Sequence, residues 1–592
     1  MKKRILISIV AITLCFVICL ITTASTPIST VTAFIDEELK TVMENAADDE
    51  LIPVDIWITE VDTNEVETEV MKSIGDTKVS LLSANSTTAV THAQVDAYIE
   101  TEREIYAEMQ AEESQTFLNR YNGIFNSRSS TEKKLLFVSE YTPVIRAKLT
   151  KNEINKIATD AFVNSIYHSP DIIIIEDSNI SIPLVHSNYV RDTLGYSGSG
   201  IKIGLLEAGG VPNRTKNYFI SSNIIYDPDF DESYETTHAN MVAAIMIGKA
   251  TTVDGVTYKG IVPDAKLYAT KYIGNNTDDW RARVEWLLSQ GVHVINMSGT
   301  FSNVSAGIYD THSKWIDHVA INHSVHFVKS AGNNGGNITS PGLAYNIITV
   351  GNLNDNNSSA QADDEIRSTS SYIEPSNHTN KPDLVAPGTN IATAVDTDSG
   401  TSFAAPHVTA IIAQLCQAYP TLKTKQDAMK AILMASITHS KHAYTPDDDE
   451  FDKYGAGVVD AQTSLSTASN SRYVSSNFAA NAEVGTTSNY TFTVSSTNKN
   501  VRVALTWLMY NRFISAAADH EDYTQPSQLG SLANLCVWVY NPSGTIVAGG
   551  VLDYGNIQVV DFMPTQAGTY RIEVEIWDNS AQTCYYGLAW KQ

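Results

Sequence analysis

Between about residues 183 and 470, short apolar runs alternate with helical segments, and few folds accommodate that alternation. Residues 201–206, 266–270, 292–296, 326–329 and 347–350 have the apolar, often β-branched composition of strands buried on both faces. Residues 239–247 and 282–289 fall between them with helical composition. The pattern predicts an α/β domain around a doubly wound, mostly parallel sheet. In such sheets reactive groups collect at the carboxyl ends of the strands.

On either side of this region the rhythm changes. Upstream, Val54-Asp55-Ile56-Trp57-Ile58-Thr59 alternates as a strand does, and residues 93–119 form a long helix with Val95, Ile99, Ile105, Met109 and Phe117 as its apolar positions. Residues 135–149 read as strand broken at Thr142-Pro143, 152–157 as helix and 163–167 as strand, together a small α+β layer. Downstream of about Arg472, helical patterns stop. Val501, Val503, Leu505 and Trp507 alternate with other residues, as do Ile572, Val574 and Ile576, and Asn541-Pro542-Ser543-Gly544 and Ala567-Gly568 mark turns. These signs predict an all-β antiparallel sandwich. The expected division is 34–176, 177–470 and 471–592, with the first junction somewhere in 168–182.

Residues 1–33 begin with Met1-Lys2-Lys3-Arg4, continue as an apolar run to Ile21 and end in small and polar residues. That is the build of a secretory signal peptide, with an uncleaved anchor as the alternative. A formal charge of −26 without a basic block argues against nucleic acid as a partner, and limits membrane contact to export. Two of the five cysteines lie in the signal. Cys416 follows an apolar run and reads as a buried helix residue, while Cys536 and Cys584 fall in strand-like segments that could pair across a sheet, which the sequence leaves open. No cysteine spacing suggests a metal site. The acidic stretch 227–235 is a possible calcium site, although a solvated acidic loop accounts for it better; no other cofactor is implied.

The stretch that carries chemistry is Gly400-Thr401-Ser402-Phe403-Ala404-Ala405-Pro406-His407, a serine at a strand-to-helix junction. Such a serine is ordinarily a helix cap. It becomes a nucleophile only if a histidine takes its proton and donors hold the resulting oxyanion.

The octapeptide resembles the nucleophile motif of the subtilisin-like serine peptidases, and Ser402 is then the implied nucleophile. Thr237-His238-Ala239-Asn240-Met241-Val242-Ala243-Ala244 is similar to the start of the family's base-bearing helix, implying His238 as the base. Ser330-Ala331-Gly332-Asn333-Asn334-Gly335 resembles the oxyanion segment and implies Asn333 as the side-chain donor. In Ile203-Gly204-Leu205-Leu206-Glu207-Ala208-Gly209, Glu207 stands where the family carries aspartate, and Ala208 replaces a small hydroxyl residue. Further likenesses are Gly260-Ile261-Val262-Pro263, Pro382-Asp383-Leu384-Val385-Ala386-Pro387-Gly388 and Tyr454-Gly455-Ala456-Gly457. The resemblance covers about residues 184–465.

It implies a secreted serine endopeptidase with a Ser402-His238-Glu207 triad, made with an N-terminal prodomain that inhibits it intramolecularly until removed. The polypeptide substrate is expected to add a strand beside Ser298, Gly299 and Thr300. Thr300 and Phe301 replace the glycines usual there, implying a narrower side-chain pocket. The segments around Leu505-Thr506-Trp507 and 540–545 resemble a jelly-roll domain of some secreted relatives. The Glu207 and Ala208 departures motivate a second reading, a catalytically impaired relative acting as a binding or surface-interaction protein.

Overall fold

A computed structural model of the protein describes residues 33–592, except 75–91, 126–133, 170–173, 176–180, 254–255, 273–276, 302–305, 357–363, 373–380, 438–452, 470–471, 510–533, 551–554 and 579–582. All but the last residue of the expected signal, and the expected 176/177 boundary, lie outside the described residues.

The N-terminal elements are β1 (Phe34–Ile35), α1 (Glu37–Asn45), β2 (Ile52–Ile58), α2 (Thr63–Ile74), α3 (His92–Arg120), β3 (Leu135–Val138), β4 (Val144–Leu149), α4 (Lys151–Ile157), β5 (Val163–His168) and β6 (Ile174–Ile175). Thr150 and Glu153 start α4 with a capping box, each satisfying a backbone N–H at the helix entry. Strands β1-β5-β2-β4-β3 make a five-stranded sheet. One side of this sheet encloses a core of its own with Val54, Ile56, Phe117, Ile145 and Ile166. The helices α1 and α2 were not anticipated from the sequence.

The central elements are β7 (Lys202–Ala208), β8 (Ile224–Tyr226), α5 (Thr237–Ile247), β9 (Lys266–Tyr272), α6 (Thr277–Ser289), β10 (Val294–Met297), β11 (Thr300–Phe301), α7 (Thr311–Asn322), β12 (His326–Ser330), β13 (Ile348–Asn354), β14 (Glu365–Ile366), β15 (Leu384–Pro387), α8 (Thr401–Ala418) and α9 (Gln426–Ala435). The sheet runs β14-β13-β12-β10-β7-β9-β8, with β15 also on β13, and is parallel except at β14. Its two faces bury different cores. Ile203 and Leu205 pack with Val242 and Phe403, whereas Leu206 and Ala208 pack with Leu287 and Trp315. Each Val, Leu, Ile or Phe side chain taken out of water here stabilises by roughly 1.5–3 kcal/mol. This is the doubly wound arrangement expected, and β7 lies in its interior with Glu207 near its carboxyl end.

The N-terminal sheet sits on α6 and α7. Arg281 donates to Asp55 (Nη1–Oδ1 2.7 Å), and both side chains are wholly buried. Thr311 Oγ1 donates to the other Asp55 oxygen at 3.0 Å. From α3, Arg103 donates to the carbonyls of Leu288, Val292 and His323 at 2.9–3.0 Å, satisfying one acceptor in the last turn of α6 and two just beyond the ends of α6 and α7.

The C-terminal elements are β16 (Tyr473–Phe478), β17 (Thr487–Val494), β18 (Val501–Trp507), β19 (Asn534–Tyr540), β20 (Ile546–Gly550), β21 (Ile557–Phe562), β22 (Gly568–Asp578) and β23 (Cys584–Lys591). They form two four-stranded antiparallel sheets, β16-β23-β18-β21 and β17-β22-β19-β20, around a common core that includes Leu505, Val537 and Ile572. The first sheet packs on α9, where Thr506 Oγ1 donates to the Asp427 carbonyl at 2.7 Å. Gly587 permits this approach, because a Cβ there would lie 2.2 Å from that carbonyl oxygen.

The Cys536–Cys584 pairing that the sequence leaves open is not made; both are free, as is Cys416. The two residues belong to opposite sheets. Cys584 sits in the shared core, whereas Cys536 has its sulfur 3.7 Å from the Glu575 carboxylate on the far side of its sheet. In the acidic stretch, Arg283 lies 3.0 Å from Asp227 and 2.7 Å from Asp229, and Lys216 lies 2.8 Å from Glu235. Protein cations thus take up the charge that a calcium ion would have met. Among the described residues no group of three His, Cys, Asp or Glu could hold a metal, and no helix is long and apolar enough to cross a membrane.

Candidate active site

Helix α8 starts at Thr401 without a side-chain cap, so its first turn leaves backbone donors to be satisfied otherwise. Asn333, just past β12, supplies one acceptor: its Oδ1 takes the Thr401 N–H at 2.8 Å and the Thr401 hydroxyl at 3.1 Å. The same hydroxyl accepts from Gly332 N–H at 3.1 Å. Oδ1 is thus held, and among the described residues no partner is seen for the Asn333 amide nitrogen, in a residue that is half-buried.

Pro406 lies inside α8 and has no N–H for the carbonyl of Ser402, four residues earlier. Ser298, just after β10, supplies it, donating from Oγ to Ser402 O at 2.8 Å. In return Ser402 Oγ donates to Ser298 O at 2.7 Å. Behind this pair, Thr409 Oγ1 donates to Asn296 Oδ1 at 2.9 Å, and Asn296 Nδ2 donates to Ser298 Oγ at 2.8 Å.

His238 is at the second position of α5, whose start is fixed by Thr236 accepting from Ala239 N–H at 3.2 Å. Gly210, three residues past Glu207, lets this cap come close; a Cβ on it would meet the Thr236 side chain at 2.3 Å. Glu207 Oε2 and His238 Nδ1 are 2.6 Å apart, with the glutamate wholly buried. The second oxygen, Oε1, is buried and has no hydrogen-bond partner among the described residues. The His238 ring lies 5.2 Å from the ring of Phe403, the neighbour of Ser402. His407, the other histidine of the octapeptide, is a different kind of group. Burial pulls its pKa down to about 4, and its ring is engaged with Phe403 O at 2.7 Å and Ser181 N at 3.3 Å.

Ser298, Gly299 and Thr300 run from the nucleophile segment into β11. Gly299 is close-packed, since a Cβ would sit 2.2 Å from the Tyr272 hydroxyl. Phe301 turns inward against Tyr272 and Trp280. β11 pairs antiparallel with β6, Thr300 opposite Ile175 and Phe301 opposite Ile174. A stretch of the chain's own backbone therefore lies along the strand expected to receive substrate.

Glu207, His238, Ser402, Asn333 and Ser298 thus converge from β7, α5, α8, β12 and β10, with Glu207, Asn333 and Ser298 at or beyond the carboxyl ends of their strands and His238 and Ser402 in the first turns of their helices. Sequence reasoning missed Thr401, Asn296 and Thr409. The hydroxyl of Thr401 beside the nucleophile was visible, but nothing local tied it to Asn333.

The family profile described as "Subtilase family" matches residues 164–457. The chain is 24% identical over 356 residues to M-protease of Shouchella clausii (strain KSM-K16), covering 57% of this chain and 83% of that protein. It is 26% identical over 321 residues to the thermostable alkaline protease of Halalkalibacterium halodurans, covering 52% of this chain and 81% of that one. Among solved structures, the prenylagaramide maturation protease PagA aligns at 21% identity and a TM-score of 0.38, over 47% of this chain and 98% of that protein. Residues 164–457 thus form a domain of the subtilase family, that of the subtilisin-like serine peptidases.

Proposed function

We propose that the protein is an exported endopeptidase in which Ser402 attacks the peptide carbonyl, His238 takes and returns the proton, and Glu207 replaces the usual aspartate. The observation that carries this reading is the 2.6 Å contact between Glu207 Oε2 and His238 Nδ1. A carboxylate on Nδ1 keeps the proton there, leaving Nε2 to act as base, and stabilises the imidazolium that forms. As substrate binds, the Ser402 hydroxyl exchanges its bond to Ser298 O for one to His238. The side-chain N–H donors of Asn333 and the backbone N–H of Ser402 then receive the oxyanion, whose stabilisation is commonly the largest single contribution to such catalysis.

In this reading substrate binds as an added strand on Ser298, Gly299 and Thr300. The pairing of Ile174–Ile175 with Thr300–Phe301 supports residues 34–176 as an inhibitory prodomain, its tail lying where substrate would lie. Export rests on the composition of residues 1–33. The impaired-relative alternative is disfavoured, since the longer glutamate arm still reaches the imidazole.

Expression from Phe34 onward, followed by mass measurement and a fluorophosphonate probe, tests the reading. Loss of an N-terminal piece and covalent labelling at Ser402, both absent in Ser402→Ala, are the expected results. An intact, unlabelled product would refute it.

A further inference from the structure

Strand β22 turns Tyr570, Ile572, Val574 and Ile576 into the core shared by the two C-terminal sheets. Alternation then sends Glu573, Glu575 and Trp577 to the other face. On the neighbouring β19, Trp538 stands opposite Glu573 and points the same way. Its indole is pinned at both edges. Nε1 donates to Glu575 Oε2 at 2.9 Å on the β22 side. On the β20 side, the opposite edge lies over Gly549, where a Cβ would come within 3.0 Å of Trp538 Cε3. Gly549 also has a φ of +130°, a conformation that side-chain-bearing residues avoid. The indole therefore spans three strands and is half-buried on this face. Two positions along, Tyr540 donates to Glu573 Oε1 at 2.9 Å. Trp577 is 48% exposed on the same face.

A protein core has no use for this arrangement, and nothing in the peptidase site requires it. We propose that this face binds a neutral polysaccharide, with sugar rings stacked on Trp538 and Trp577 and sugar hydroxyls donating to Glu573 and Glu575. The chemistry selects that partner. A dry protein–protein contact would bury two carboxylates at substantial cost. A polyanion would meet those carboxylates and a chain of net charge −26. A glycan presents flat C–H faces to the rings and hydroxyl donors to the remaining lone pairs of Glu575, and of Glu573 beside the Arg571 guanidinium that pairs with its Oε2 and stacks on Tyr540. Because the indole is already fixed, binding loses little side-chain entropy. Placed on the peptidase, such a face would hold the enzyme on an insoluble glycan matrix.

The test uses the full chain carrying Ser402→Ala, so that self-digestion cannot deplete it, mixed with insoluble cellulose, chitin and β-mannan. The expected result is depletion from solution by at least one of the three. Trp538→Ala and Trp577→Ala should each weaken binding about tenfold, within the range that a stacking ring contributes in other polymer-binding sites. Trp577 makes no hydrogen bond among the described residues, so its removal leaves the thermal midpoint in place and tests the face even if Trp538→Ala unfolds. Failure of all three polysaccharides to deplete the protein, or undiminished binding by Trp577→Ala, would overturn the proposal.

Discussion

Ser298 and Ser402 satisfy each other: the hydroxyl of each donates to the backbone carbonyl of the other, at 2.8 and 2.7 Å. The exchange follows from Pro406, which leaves the Ser402 carbonyl without its helical donor. Ser298→Ala removes the replacement donor and strands a buried carbonyl, a loss of about 1–3 kcal/mol. The expected outcome is a lower denaturation midpoint together with a lower kcat, since the helix turn bearing Ser402 loses its tie to β10. Ser298→Thr keeps the hydroxyl and should retain most of both. Equal stability and turnover in Ser298→Ala would contradict the account.

In the proposed mechanism Thr401 acts on the oxyanion donor, Asn333, without touching substrate. Its N–H and hydroxyl fix Asn333 Oδ1, which aims the amide nitrogen. Asn333→Ala should cost about 10²–10³ in kcat, the usual effect of losing an oxyanion donor. Thr401→Val leaves the donor present but held by the backbone alone. Its expected effect is a smaller fall in kcat with KM unchanged, and Thr401→Ser should restore turnover. Steady-state kinetics on one peptide substrate separate the three variants.

The α/β order of the central region was legible because strands buried on both faces carry nearly continuous apolar runs, as 201–206 and 347–350 do. The helix α7 was not: His312, Lys314, Asp317 and His318 are all buried in it, so its sequence gives no apolar stripe. What buries them includes the N-terminal sheet, a long-range contact that no local window contains. The pairing of Cys536 and Cys584 stayed open for a related reason. Each is strand-like, but whether two strands belong to the same sheet is a question of topology. At the site, Glu207 was readable as an acid at a strand end. Whether its longer arm meets His238 depended on the backbone spacing of β7 and α5, which residue types do not encode.

Asp55 and Arg281 join the N-terminal sheet to α6 as a wholly buried pair. Burial by itself would raise the Asp55 pKa, but the Arg281 guanidinium brings it down to about 2. A depressed carboxylate pKa supports the docked state above the unfolded value near 3.9, and that support is lost as pH falls through the folded value. The pair should therefore hold without change from about pH 5 upward and fail only in strong acid. Asp55→Ala leaves Arg281 as an unpaired buried cation, at a cost of about 3–5 kcal/mol. In a Ser402→Ala background, hydrogen exchange of α6 and α7 should then rise sharply at neutral pH. Exchange as slow as in the parent would show that the pair does not govern docking.

The proposed acid of the triad gives the sharpest prediction, because among the described residues Glu207 is held at one oxygen only. Oε2 reaches His238 at 2.6 Å, so the backbone of β7 is already set back for a glutamate. Glu207→Asp shortens the arm by one C–C bond, roughly 1.5 Å, and an error of about 1 Å in a catalytic group can cost a hundredfold. Aspartate, the ordinary family residue, should thus be the poorer one in this chain. Glu207→Gln preserves the shape but can present an N–H to the imidazole and favour the wrong tautomer, for which a loss of about 10⁴ in kcat is the precedent. Turnover of Glu207→Asp at or above the parent level would show that the site tolerates its glutamate and was not built around it.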